Sequence, residues 1–311
     1  RVIFGTDELI GGSFFMNDSP EIKKGLTNLG KEDKDFPVRS LLNLSESQPG
    51  THSFAYEIVK TISPNLNSIE HFEEIKEIDI NFERLKAIDT VGDFLSISNT
   101  WDIFSKNDLA IALDFDILTE DRDSEPIPES VQVIGQGQVF IEAGAQLQYC
   151  ILNATNGPIF LGAHSEVMEG SLIRGPFALG SHAMVKMGAK IYGATSIGAK
   201  SKVGGELNNV VMFPFSNKGH EGFLGNAVIG SWCNLGADTN NSNLKNSYEN
   251  VRLWDYAEER FAKTGLQFCG LMMGDHSKSA INTMFNTGTV VGVASNIFGA
   301  GFAKNFIPSF S

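Results

Sequence analysis

Every sixth residue from Leu161 to Val203 is apolar: Leu161, Val167, Ile173, Leu179, Val185, Ile191, Ile197 and Val203. Four positions after each of the first seven stand Ser165, Ser171, Phe177, Ala183, Ala189, Thr195 and Ser201, all small except Phe177. An amphipathic helix repeats near 3.6 residues and a hairpin strand near two, so a strict step of six fits neither. Six is even, however, so each marked residue returns to the same side of an extended chain. The pattern therefore describes a three-sided prism of parallel strands, in which each hexapeptide supplies one short strand and one corner. Three hexapeptides complete a coil of about 18 residues, and coils stack at the ordinary strand spacing of about 4.8 Å. Large aliphatics fill the interior, small residues fit where the walls converge, and Gly or Asn supplies left-handed backbone at the turns.

The same step extends in both directions. Val133, Val139, Ala145 and Ile151 precede the ladder, with Gly137, Ala143 and Thr155 at small positions and an irregular insertion at 153–158. After Val203 the register shifts by two residues. It resumes at Val211, Phe223, Ile229 and Leu235, with Ala227, Cys233 and Thr239 small and Asn217 in one apolar slot. A polar excursion over 240–265 interrupts it, and Met273, Phe285, Val291 and Ile297 then restore it, with Ser279 the exception. Ser277, Thr283, Thr289 and Ser295 are the small residues of that last run. Residues 130–311 thus read as one mainly β, parallel β-helix domain. Its open ends need covering, and the N-terminal region and the tail aromatics Phe302, Phe306 and Phe310 are the candidates.

Upstream, residues 1–98 read as a smaller α/β domain, with a strand at Val2–Phe4 and helix-like patches at 55–62 and 69–88. The chain opens at Arg1 within that strand-like run, which reads as the interior of a longer product. Residues 99–129 read as a helical and acidic linker, with a helix over 99–118 that turns Trp101, Ile103, Phe104, Leu109 and Leu113 inward. Pro126 and Pro128 mark its end. A net charge of −13 argues against non-specific binding to nucleic acid or anionic membrane. No apolar run approaches the roughly 20 residues of a membrane span. Three scattered cysteines, Cys150, Cys233 and Cys269, suit a reduced cytoplasmic setting. His52 and His71 lack partners at metal-ligand spacing, and no metal centre is expected from the sequence. His164 and His182 fall at turn positions and are expected to be exposed. Asn240, Asn241, Asn243 and Asn246 suit left-handed turns, and Lys186 and Lys190 a solvated face.

The hexapeptide ladder resembles that of the left-handed β-helix acyltransferases. The segment SNKGHEGFLGNAVIGSWCNLGADTNNSNLKN, residues 216–246, is similar to the acetyltransferase half of the bifunctional N-acetylglucosamine-1-phosphate uridyltransferase/glucosamine-1-phosphate acetyltransferase family. GLMMGDHSKSAINTMFNTGTVVG, residues 270–292, resembles sugar-1-phosphate nucleotidyltransferase-like proteins of related architecture. The resemblance covers roughly 130–311. It implies a left-handed prism, a homotrimer with sites between subunits, acetyl-CoA as acyl donor, and a sugar phosphate or nucleotide sugar as partner.

Position by position, the resemblance makes His220 the general base that deprotonates an attacking amine, a task suited to imidazole. It makes Glu206 the carboxylate that orients this histidine. Asn234 falls at a sugar contact, Lys218 and Lys245 are further substrate-binding candidates, and Ala237, Asn243 and Asp275 fall where the acyl-CoA is met. The family's sugar-phosphate arginine aligns with Leu179, its phosphate lysine with Asn208 and its tyrosine with Phe223, so two phosphate-binding cations are absent from their usual places. Two other readings stand beside acyl transfer. One is a sugar-1-phosphate nucleotidyltransferase whose β-helix serves assembly; it would need Mg²⁺ and a glycine-rich phosphate loop. Residues 1–95 offer only Gly11-Gly12 toward such a loop and read as an incomplete domain of that type. The other is a non-catalytic prism.

Overall fold

A hexapeptide step can close into a prism only if each strand hydrogen-bonds its neighbour one coil away, and the register shows that it does. In the computed structural model, residues 95–135 and 138–311 are described; the strand at Val2–Phe4, the helical patches at 55–62 and 69–88, His52, His71, Gly137 and the N-terminal α/β domain lie outside the described residues. The chain divides into two compact units, Arg1–Ser98 and Asn99–Ser311. The second unit is a parallel β-solenoid with three faces. The first face begins with Gln132–Ile134, Ile151–Asn153, Leu172–Arg174 and Lys190–Tyr192. The second stacks nine rungs from Val139–Ile141 to Phe306–Ile307, and the third stacks eight from Gln146–Leu147 to Asn296–Ile297. The long strands Glu206–Met212 and Phe223–Ile229 run through the corner between first and second faces and join them into one sheet.

The ladder is the interior. Leu161, Leu179 and Ile197 pair in one column and are fully buried, as are Val185 and Val203 on the third face. Ser165, Ser171, Ala183, Ala189, Thr195 and Ser201 are equally buried, and so is the one large residue of that set, Phe177. A void there would cost more than the aliphatic transfer energy alone, because stacked coils cannot collapse around it.

In the first coils the expected register is corrected. Ile141 pairs with Leu161 and Leu152 with Ile173, so Ile141, Leu147 and Leu152 continue the ladder in place of Val139, Ala145 and Ile151, while Val139, in register with Ile159, and Ala145 still pack in the core beside it. Ala143 and Thr155 are exposed. The insertion at 153–158 lengthens that coil, which shifts any count carried backward at a fixed step. Downstream, Ile197 pairs with Met212, only fifteen residues on, so Met212 rather than Val211 points inward. Lys218 and Leu224 likewise take the inward places expected for Asn217 and Phe223. The shortened coils turn through Asn209 and Asn226, both left-handed, at φ 57 and 47. With the Asn209 amide nitrogen facing the Ala194 and Phe104 carbonyls, its oxygen accepts from Asn226, which in turn accepts from Asn243.

Two short helices, α1 (Asp102–Ser105) and α2 (Asn107–Thr119), replace the single helix expected over 99–118. Asn107 fixes α2 on the outside of the second face: its amide donates to the Ala194 carbonyl at 2.9 Å, and Ser196 donates to its oxygen at 2.9 Å. Phe104, Ala110 and Ile111 are consequently buried, while Leu109 and Leu113 are half exposed, contrary to expectation. Apolar residues surround α2 on all sides, so periodicity alone did not define its packed face. The excursion after Thr239 contains an antiparallel hairpin, Arg252–Asp255 with Arg260–Lys263. Its Trp254 stacks on Phe306 at 4.2 Å, and Tyr256 meets the same ring edge-on. Of the three tail aromatics only Phe306 packs in this way; Phe302 and Phe310 are exposed.

Leu179→Ala is expected to cost about 2–5 kcal/mol and Leu172→Ala, on the exposed side of the first face, less than about 1 kcal/mol. Thermal or denaturant unfolding of the two variants measures the contrast; equal losses would contradict the assigned interior.

Candidate functional site

Val203 pairs with Lys218 and Glu206 pairs with Phe223, so the same corner takes two residues in one coil and four in the next. The preceding coil, between Val185 and Lys190, also takes four. The corner at Gly204–Gly205 is therefore set back between two longer ones, and Gly219–Gly222 overhangs it. This is the physical form of the two-residue shift visible after Val203. His220 lies in the overhang with its side chain exposed.

The backbone of that overhang is tied at three consecutive carbonyls. His220 O accepts from Lys218 Nζ at 2.6 Å, Glu221 O from the Asp238 amide at 3.0 Å, and Gly222 O from the Glu206 amide at 3.3 Å. Gly205, at φ +73, permits the close approach, since a methyl there would lie 2.9 Å from the His220 carbonyl oxygen. Gly222 is needed as well, because a Cβ there would meet the Thr239 carbonyl at 2.2 Å. Lys190 reaches Glu221 at 3.6 Å across the set-back corner.

Lys218 is the unusual member. It occupies an interior slot between Val203 and Leu235, is 1% exposed, and donates from Nζ to Gly204 O at 2.9 Å as well as to His220 O. Burial lowers its pKa to about 8, with Glu221 and Asp238 opposing that shift and Lys190 adding to it. The ammonium thus faces the inside of the prism, away from solvent.

Glu206 stands on the outer side of the first face, in register with Lys190 and Phe223. Its carboxylate accepts a hydrogen bond from the Tyr192 hydroxyl at 2.5 Å. That bond to the anion, with some burial, raises the Tyr192 pKa above its ordinary 10, and the Asn208 side chain opposes the rise. Among the described residues, no hydrogen bond joins His220 and Glu206. Asn208 pairs with Tyr192, and the Phe223 amide donates to Asn240 Oδ1 at 2.8 Å. Tyr192, Glu206, Asn208 and Phe223 therefore share one patch beside the His220 corner. In the sequence Tyr192, an aromatic one residue past Ile191, carries no signal of its own.

The other expected site residues are more dispersed. Asn234 is exposed on the third face and accepts from Asn217 at 2.8 Å. Ala237 lies in the next corner, beside Asp238. Asn243 bonds Asn226, and Lys245 donates to the Asn250 carbonyl at 3.2 Å. Asp275 accepts from the Ser231 amide at 2.7 Å, at a different corner. That corner carries His164 and His182, stacked at 5.1 Å and exposed as expected, followed by Phe215, Trp232 and His276 in a stacked series. Leu179 is an interior residue, so its identity reflects packing rather than a missing ligand contact. All three cysteines are free and buried, with thiols pushed up by burial to about 11 at Cys150 and about 12 at Cys233 and Cys269. Among the described residues, no cluster of three or more His, Cys, Asp or Glu side chains is placed to hold a metal ion, and no helix is long and apolar enough to cross a membrane.

A model of the sugar nucleotidyl transferase family matches residues 43–123. The match ends just beyond α2, before the first strand of the solenoid at Gln132. No curated protein matches the chain. Together, the matched segment and the parallel solenoid point to a sugar-related transferase.

The Lys218 environment predicts a pH dependence whose sign is fixed. Its folded pKa, about 8, lies below the unfolded value of 10.5, so the buried charge penalises folding fully below pH 8 and ceases to do so above 10.5. The full difference is up to about 3 kcal/mol. Wild type should therefore gain stability relative to Lys218→Met as pH rises from 8 to 10. Cysteine ionisation above pH 9 destabilises both proteins alike and cancels in the comparison. Parallel unfolding curves at pH 7, 8, 9 and 10 measure this; a constant difference would contradict it.

Proposed function

We propose that the solenoid is an acyl-CoA-dependent acyltransferase acting on an amino-sugar phosphate or nucleotide sugar, with His220 as general base. The observation that carries this reading is the set-back corner. It presents an exposed imidazole on a backbone held at three carbonyls, next to the Glu206 patch. In the reaction, the substrate amine attacks the thioester carbonyl of acetyl-CoA and forms the C–N bond. The C–S bond breaks and the electron pair leaves on sulfur. His220 takes the amine proton and returns it to the departing thiolate, so no oxidant or metal is required.

Asn234 and Lys245 are proposed to contact the sugar, and Ala237, Asn243 and Asp275 the acyl donor. These residues occupy several corners and faces of the solenoid, which suits a site assembled between copies of the chain. A homotrimer is the proposed assembly and the cytoplasm the proposed setting. Glu206 would orient His220 by accepting from the imidazole as a second donor beside Tyr192.

A second reading is favoured by the family match over 43–123: sugar-1-phosphate nucleotidyl transfer, with the solenoid serving assembly. It would require Mg²⁺ and release pyrophosphate from a nucleoside triphosphate.

With acetyl-CoA and glucosamine 1-phosphate, thiol release should fall by roughly 10²–10⁴-fold in His220→Ala, with an unchanged unfolding transition. Equal turnover in the variant would remove His220 from the chemistry. Pyrophosphate release without thiol release would select the second reading. Light scattering should give the mass of three chains, and a monomer would contradict the assembly.

A further inference from the structure

Lys218 is an ionisable side chain in a slot that packing alone would give to an aliphatic residue. It follows Val203 and precedes Leu235 in the third-face column, and its neighbours in that column are fully buried. A solvated role is closed to it at 1% exposure. Its hydrogen bonds are specific: one to Gly204 O, in the short corner, and one to His220 O, in the long corner above it. The ammonium thus bridges two corners that differ by two residues. Of the three tied carbonyls in the overhang, His220 O is the only one held by a side chain; Glu221 O and Gly222 O are held by backbone amides of adjoining coils. A backbone donor is common to any residue at its position, whereas this side-chain donor is removable by substitution.

We propose that Lys218 is a positioning residue: from inside the prism it clamps the short corner to the long one and so fixes the backbone from which the His220 imidazole projects. The function is distinct from substrate contact, which the inward direction of its amine precludes. This inference rests on the acyl-transfer reading for its catalytic consequence, though not for its structural content. The cost of burying the charge is accepted in the fold because a methionine of similar length would fill the slot without gripping either carbonyl. Glu221, on the long corner, and Asp238, on the corner of the next coil, oppose the effect of burial and favour the cation at neutral pH.

The test uses the full chain with Lys218→Met and Lys218→Gln. Both are expected to fold, because the slot is otherwise apolar and the replacements are of similar length. The first readout needs no substrate. In histidine-labelled protein, the imidazole resonance assigned to His220 through His220→Ala should shift or broaden in Lys218→Met, while those of His164, His182 and His276 stay in place. The second readout is turnover: kcat should fall roughly tenfold to hundredfold with KM within about twofold, as expected when a reacting group is displaced by about 1 Å. Lys218→Gln, which keeps one donor for the His220 carbonyl, should recover part of both effects. An unchanged His220 resonance in a folded Lys218→Met protein would overturn the proposal. So would a Lys218→Met chain that fails to fold while Lys218→Gln folds with an undisturbed His220, since the lysine would then serve packing alone. If wild type transfers no acyl group, the acyl-transfer reading fails, and the resonance still decides the clamp.

Discussion

The molecule depends on stacking coils of unequal length without breaking the interior column. Parallel strands must meet their neighbours in register, so every residue gained or lost in a coil has to be absorbed at a corner. Where the coil length is regular, from Leu161 to Val203, the corners are alike and the interior is a plain aliphatic ladder. Where coils shorten, two devices take up the difference. Asn209 and Asn226 carry long strands through a corner in left-handed conformation, and Gly204–Gly205 is set back beneath Gly219–Gly222. The extra chain of the excursion after Thr239 is folded outside the prism, where its hairpin lays Trp254 on Phe306.

The candidate site is a product of the same constraint. A set-back corner leaves the backbone above it without a matching corner below, and polar groups there need donors. Lys218 supplies two from within, Glu206 and Asp238 supply amides from adjoining coils, and the imidazole of His220 is left facing solvent. Irregularity in the scaffold thus creates a position that the regular ladder does not offer. The Tyr192–Glu206 pair beside it gives the patch a carboxylate held through one oxygen, and a carboxylate can accept further hydrogen bonds.

The parallel solenoid was legible because interior packing repeats at a fixed step, and eight apolar residues at successive sixth positions leave little freedom. The shift after Val203 was legible as a break. Its content was not: a fixed count placed Asn217, Val211 and Phe223 inward, whereas the register places Lys218, Met212 and Leu224 there. Single-residue slips exchange the two sides of a strand, and nothing local in SNKGH reveals that the lysine is the inward member. Helix α2 failed for a related reason, since its apolar residues lie on every side and Asn107, a polar residue, selects the packed one. Glu206 and His220 were both visible as candidates, and their neighbourhood followed from the strand pairing, but the Tyr192 bond is a contact across coils that only the fold displays.

On the proposed reading, the solenoid does its chemistry at the set-back corner. A crystal structure of the protein with CoA and an amino-sugar phosphate tests it most directly. The CoA sulfur and the sugar amine are expected beside the His220 imidazole, with Lys218 still bound to the carbonyls of Gly204 and His220. Ligands bound only at the series His164, His182, Phe215, Trp232 and His276, or only within residues 43–123, would contradict it.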